Sequence, residues 1–260
     1  MRATVFMPLA LLIGCAHRPA PASGLYQIGA ATASADRVMS TLYTVSVKRD
    51  AFDAATVRTV HTEGEWTEGG RDNRFDSDAQ TGADPWPLRL EHAVASAPAA
   101  VRLSPEGAVT ALIDEQGWRD AARDQITALD LPGAASAAAE ALIDPEGLLR
   151  DLRRSFPGRP EAVWVREESL GGITAALEEA CTRSREGRLT VWTCAGGARE
   201  GGVGKARLQE LTTWSIVRAD RRGLQSFEMG YEGDVVVLDA SGVVRLKNTL
   251  MGRRLVSRAP

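Results

Sequence analysis

Histidine, cysteine and aromatic residues are scarce in this chain, and long apolar runs are missing. Three histidines and three cysteines stand among 260 residues, and aromatics make up 5%. His17, His61 and His92 contain no pair at the spacing of a metal-binding His-Glu-x-x-His helix. No Gly-x-Ser-x-Gly elbow is present to present a nucleophilic serine. The longest apolar run lies before Cys15 and is interrupted by Pro8, well short of the roughly 20 residues that a membrane-spanning helix needs. Charge of one sign is lacking too: the formal net charge is −3, with Lys and Arg scattered along the chain. Nucleic-acid binding needs a concentrated basic face, so the sequence argues against it.

Two near-motifs fail on inspection. The run Gly196-Gly197-Ala198-Arg199-Glu200-Gly201-Gly202-Val203-Gly204-Lys205 has Arg199 where a phosphate-binding P-loop needs its first glycine, and Ala206 where it needs Ser or Thr. No nucleotide is expected, and the run reads as a flexible hairpin loop. Asp76-Ser77-Asp78 opens like a calcium loop, but Thr81 stands at the turn glycine and Pro87 at the bidentate glutamate. Glu63 and Glu65 share one strand face, where a solvated surface is the simpler reading than an acid/base pair. No catalytic motif is found, and no cofactor or metal is called for.

What is present is an ordinary globular composition, with 44% hydrophobic and 25% charged residues. Leu42 to Val47 alternates in polarity and is β-branched, as a half-buried strand should be. Val101-Arg102-Leu103 and Ala108 to Ile113 flank Ser104-Pro105-Glu106-Gly107, a type I turn by its residues. The period then changes. Trp118, Ala122, Gln125, Ile126 and Leu129 recur on one helical face, and Asp144-Pro145-Glu146 caps a further helix carrying Leu148, Leu149, Leu152 and Phe156. From Ala162 strand patterning returns, punctuated by the turns 184–187, 220–223 and 239–242, each ending in glycine. The expected fold class is α+β: strands over 42–113, a central insert of two to three helices over 115–156, and strands over 162–250. In such a fold an antiparallel, curled sheet would bury its apolar face against the helices.

The N-terminal segment ends in Leu12-Ile13-Gly14-Cys15, after Met1-Arg2 and a short apolar stretch. This resembles the lipobox of bacterial lipoproteins. The resemblance implies that residues 1–14 are a signal peptide and that the thiol of Cys15 receives a diacylglycerol. It also implies that the new α-amine is acylated, palmitate being the typical chain. Two or more acyl chains hold a protein stably where one does not. The partner implied is therefore the membrane, in the cell envelope. Ala16 after Cys15 lacks the Asp of inner-membrane retention in some bacteria, which suits an outer-membrane anchor facing the periplasm. Residues 15–24, rich in Pro and Ala, read as a semi-stiff tether, and 25–260 as a single domain. With Cys15 used by lipid, Cys181 and Cys194 form an even pair in a compartment that permits disulfides. The alternative is two buried thiols, but their positions either side of the 184–187 turn favour a bond. Closing a loop of that size stabilises by about 3 kcal/mol in the chain-entropy model.

The order of strands, helices and strands is similar to that of lipid-handling envelope proteins with an open β-barrel, and of uncharacterised β-rich envelope lipoproteins. The likeness is one of layout and carries no site residues. Core packing is the first expectation for the tryptophans. Trp118, Trp164, Trp192 and Trp214 would otherwise line a groove between sheet and helices. The functional expectation is a membrane-anchored envelope lipoprotein with a non-enzymatic binding or structural role, its partner beyond the membrane being either a lipid or an envelope protein. The alternative is a carrier or sensor of lipids or other apolar ligands.

Overall fold

The computed structural model describes residues 20–33, 37–51, 53–68, 71–79, 86–129, 139–170, 173–203, 206–238 and 244–260. Its strands are β1 (Gly24–Ala33), β2 (Arg37–Ala51), β3 (Ala54–Glu68), β4 (Arg71–Asp76), β5 (Ala99–Leu103) and β6 (Val109–Leu112). They continue as β7 (Val163–Leu170), β8 (Ile173–Glu186), β9 (Leu189–Val203), β10 (Ala206–Asp220), β11 (Gly223–Leu238) and β12 (Val244–Arg258). The longer helices among the described residues are α1 (Trp86–Ser96), α2 (Glu115–Thr127) and α3 (Pro145–Ser155), and residues 139–142 are helical as well. All twelve strands form one antiparallel sheet in the order β6-β5-β3-β2-β1-β12-β11-β10-β9-β8-β7, with β4 beside β3. β1 joins the two arms by pairing with β2 on one side and β12 on the other.

This overturns the expected α+β arrangement with a central helical insert. The chain is mostly antiparallel sheet, and its helices are short and divided. α1 lies within the stretch expected to be all strand, ahead of the β5–β6 hairpin, while α2 and α3 follow it. The strands are also longer than their apolar cores suggest. β2 and β3 run 15 residues each, because ladder hydrogen bonds extend through Thr, Ser, Arg and Glu that carry little apolar alternation. Nor does the sheet close: among the described residues β5 is the sheet partner of β6 and β8 that of β7, and β6 and β7 stand at its edges.

The sheet is nevertheless strongly curled. β7 and β11 stand four places apart, which at about 4.8 Å per strand would separate them by about 19 Å in a flat sheet. Yet the rings of Trp164 and Phe227 meet edge to face with centroids 6.2 Å apart. A crease across β8–β11 produces part of this curl. A side chain at Gly196 would strike the Glu178 carbonyl, and one at Gly197 the Leu211 carbonyl. Beside them β10 carries a bulge between Gln209 and Thr212, with Glu210 at φ 51°. The glycine run is thus strand through Val203, not a flexible loop; Gly204 and Lys205 lie outside the described residues.

The concave face holds one main core. It unites Tyr26, Val45, Val57, Val101, Trp118, Leu152, Phe156, Trp164, Trp192, Phe227 and Val256, from both arms of the sheet and from α2 and α3. Helix boundaries follow local chemistry. Asp114 caps α2 by accepting from the Gly117 N–H (2.9 Å), and Asp144 caps α3 ahead of Pro145. The Ser104–Gly107 turn forms with the Gly107 N–H bonded to the Ser104 carbonyl at 2.9 Å.

Candidate functional site

On β7 the alternation of a strand places Trp164, Arg166 and Glu168 on one face. Trp164 packs into the core, so Arg166 and Glu168 must enter it as well. Glu179 reaches the same space from β8, where it sits between Leu177 and Cys181 on the inward face and is fully buried. Ionised groups persist in such surroundings only when paired, and each carboxylate here has an arginine.

The Arg166 guanidinium donates to both oxygens of Glu179 (3.3 and 3.4 Å), to the Ser215 hydroxyl (2.8 Å) and to Glu168. Ser215 passes its own proton toward Glu179 Oε2 at 2.9 Å. The same guanidinium lies 4.8 Å from the ring centroid of Trp164 and 5.8 Å from that of Phe227, a cation–π contact that suits a desolvated arginine. Two further arginines approach Glu168 Oε2: Arg154 of α3 at 3.4 Å and Arg254 of β12 at 3.9 Å. Burial lowers the pKa of Arg154 despite the nearby Asp151 and Glu168 carboxylates. Burial raises the phenols of Tyr231 and Tyr43. One network thus ties β7, β8, β10, β12 and α3 together inside the curl.

Chemically this network is poised to hold charge. Its carboxylates are occupied by arginine, as electrostatic partners. Among the described residues Arg254 Nη1 is buried with no hydrogen-bond partner beyond the 3.9 Å approach to Glu168, and the Thr213 hydroxyl one row away is buried without one. Tyr231, opposite Thr213 in the ladder, lies across Gly252. These donors face the upper concave side, where Ala30, Thr32, Tyr43, Tyr231 and Arg254 are only part-buried.

A second cluster forms where β3 meets the end of β4. His61 Nε2 lies 2.9 Å from Glu63, and Nδ1 lies 3.1 Å from Asp78, 3.2 Å from the Ser77 hydroxyl and 4.0 Å from Asp76. The hydrogen bond to Glu63 first, then that to Asp78, raises the His61 pKa against the opposing effect of burial. His92 of α1 bonds the Thr62 hydroxyl at 2.9 Å, and burial with the charge on His61 lowers its pKa. The ligand atoms of His61, Asp76 and Asp78 lie within 4.8 Å of one another and could take a cation. An imidazolium between carboxylates satisfies the same atoms without one.

The residues singled out in the sequence fall in different places. Cys15 lies outside the described residues. Cys181 and Cys194 are joined by a disulfide, directly opposite in the β8–β9 ladder with Cα atoms 4.0 Å apart. Trp118, Trp164 and Trp192 gather in the core at 2%, 7% and 4% exposure. Trp214 does not join them: it is 40% exposed on the opposite face, lying over Gly230. Strand patterning from Ala162 onward does not show the buried charges until the parity of the strand is followed. Two-residue spacing from Trp164 already places Arg166 and Glu168 beside it. Comparison with known protein families and with curated proteins finds no match for this chain.

Proposed function

We propose that this chain is a lipid-anchored protein of the bacterial envelope, held through Cys15 and serving a non-enzymatic binding or structural role. The observation that carries the reading is the Cys181–Cys194 disulfide. Such bonds persist in exported proteins and are rare where thiols are kept reduced, so the bond agrees with the export signal ending at Gly14-Cys15. The start of the domain also suits a tethered protein. Residues 20–23 are pinned to the sheet: the Ala22 N–H bonds the Tyr26 hydroxyl at 2.8 Å, and Arg258 donates to the Ser23 carbonyl at 2.8 Å. No described helix is long and apolar enough to cross a membrane. Ala16 after the cysteine is compatible with an outer-membrane anchor facing the periplasm.

A second reading, a carrier of amphiphilic ligands, draws on the part-buried upper concave face with the unsatisfied Arg254 and Thr213 donors. A ligand there would meet a polar floor, not a tryptophan groove. One preparation tests both. Protein extracted from membranes of cells grown with labelled palmitate should carry label and the added mass of a lipid, and Cys15→Ser should abolish both. An unlabelled, unmodified Cys15 would sink the anchor reading. A native mass spectrum of the same sample decides the carrier: a co-purifying small molecule lost on Tyr231→Ala supports it, and an empty protein removes it.

A further inference from the structure

The point where the tether meets the domain is fixed. The Ala20 carbonyl accepts from the Leu224 N–H at 3.0 Å, and the Arg49 guanidinium donates to the Pro21 carbonyl at 3.3 Å. Leu224 is the second residue of β11, one past Gly223, just after the turn Arg221-Arg222 that joins β10 to β11. Cys15 lies five positions before Ala20, a reach of at most about 18 Å for an extended chain. An anchor at Cys15 therefore holds this end of the sheet close to the bilayer surface.

That end is basic. The strand registers place the β8–β9 and β10–β11 turns, the β2–β3 turn and the start of β1 at the same edge of the ladder. β8 to β11 are consecutive in the sheet, so the two arginine-bearing tips stand about 10 Å apart. They present Arg183, Arg185 and Arg188 on one and Arg221 and Arg222 on the other, all exposed. None of the five is in an ion pair among the described residues. Arg183 rests over the Trp192 ring at 5.8 Å, and Arg185 donates to the Gly187 carbonyl, neither of which offsets charge. The carboxylates beside them are Glu186, which is exposed, and Asp220, which caps the turn by accepting from the Arg222 N–H and from Gln225. On the β2–β3 turn Lys48 pairs with Asp50, and Asp53 with Arg102. At the far end, around β3 and β4, the carboxylates Glu63, Glu65, Asp72, Asp76 and Asp78 outnumber the basic Arg74, which pairs with Glu65. The chain as a whole is acidic, at −3, so this concentration of arginine is local.

We propose that the tips bearing Arg183, Arg185, Arg188, Arg221 and Arg222 dock on the anionic phospholipid headgroups of the membrane that holds the anchor. The proposal rests on the lipid-anchor reading, which supplies the proximity. Basic groups within a Debye length of an anionic surface are attracted to it, and the attraction is screened by salt. Docking orients the domain: the sheet stands with its arginine end down and its acidic end, with the upper concave face, toward the periplasm.

The test uses a chain lacking residues 1–14 and carrying Cys15→Ser, otherwise intact, so that no acyl chain contributes. It is sedimented with vesicles of phosphatidylcholine alone or mixed with phosphatidylglycerol, at low and high salt. The expected result is binding to the anionic vesicles alone, lost at high salt. The variant Arg185→Glu/Arg188→Glu/Arg221→Glu/Arg222→Glu should bind at least about tenfold more weakly, with an unchanged circular dichroism spectrum and melting temperature. Because all four positions are exposed, Arg221→Glu/Arg222→Glu alone gives a smaller loss in the same direction should the fourfold variant misfold. Equal binding to both vesicle types, no binding to either, or undiminished binding by the variants overturns the proposal. Lipidation of the full chain is scored separately. An unmodified Cys15 defeats the anchor reading, whereas a lipidated Cys15 with no vesicle preference defeats the docking surface alone.

Discussion

Replacing Arg166 by methionine would leave Glu179 buried with only Ser215 as a hydrogen-bonding partner, and would strip Glu168 of its closest counter-charge. Removing one member of a buried ion pair costs about 3–5 kcal/mol, because the survivor keeps its desolvation penalty. We therefore expect the urea midpoint of Arg166→Met to fall sharply, and the triple change Arg166→Met/Glu179→Leu/Ser215→Ala to recover much of the loss. The His61 cluster gives a second residue-scale expectation. Its folded pKa is raised, so the protonated ring stabilises the native state. That contribution is fully present below the unfolded histidine value of about 6.5 and disappears as pH rises through the higher folded value. Thermal melts of wild type and His61→Gln should thus differ most at about pH 5.5 to 6, below the ordinary histidine value, and converge on the alkaline side. A gap that widened with pH would contradict the arrangement. His92 works in the other direction, since its lowered pKa favours the neutral ring.

At the scale of the element, the β8–β9 ribbon is where local signal and tertiary demand coincide most closely. Cys181 and Cys194 face each other across the ladder on the inward side, next to Glu179 and Trp192. Opening this loop by Cys181→Ser/Cys194→Ser should lower stability by about 2–4 kcal/mol, read as a shift in denaturant midpoint that reductant reproduces in the wild type. The pair was legible because spacing about a glycine turn is a local property. The neighbouring glycine run was not. Gly196 and Gly197 look like loop residues by composition, but they lie in β9 because the adjacent strands approach too closely for any side chain. α1 escaped notice for a related reason: its 11 residues give too few turns for helical periodicity to stand out between strands. α3 begins after the Asp144 cap, as read from the sequence, since capping is decided within three or four residues; the Asp114 cap of α2 emerges only in the structure.

For the molecule as a whole, β1 is the piece on which the architecture turns. It pairs with β12 through Tyr26 to Ala33 and with β2 along its length, so among the described strands it joins the two arms of the sheet. Tyr26, fully buried on β1, also binds the Leu224 carbonyl and sets its ring against Phe156 of the segment leaving α3. This brings the tether, the β10–β11 turn and the helices to one corner. By itself the sequence determined the features that depend on neighbours along the chain: helix caps, glycine turns, an even cysteine pair and the likeness of Leu12-Ile13-Gly14-Cys15 to a lipidation signal. Only the tertiary structure decided that the helices form no single insert, that Trp214 faces away from the other three, and that scattered arginines fall into two groups. Arg154, Arg166 and Arg254 converge inside the curl, and five others line the tethered end. Those outcomes depend on which strands lie side by side and how tightly the sheet curls, and residues far apart in sequence become neighbours only through that pairing.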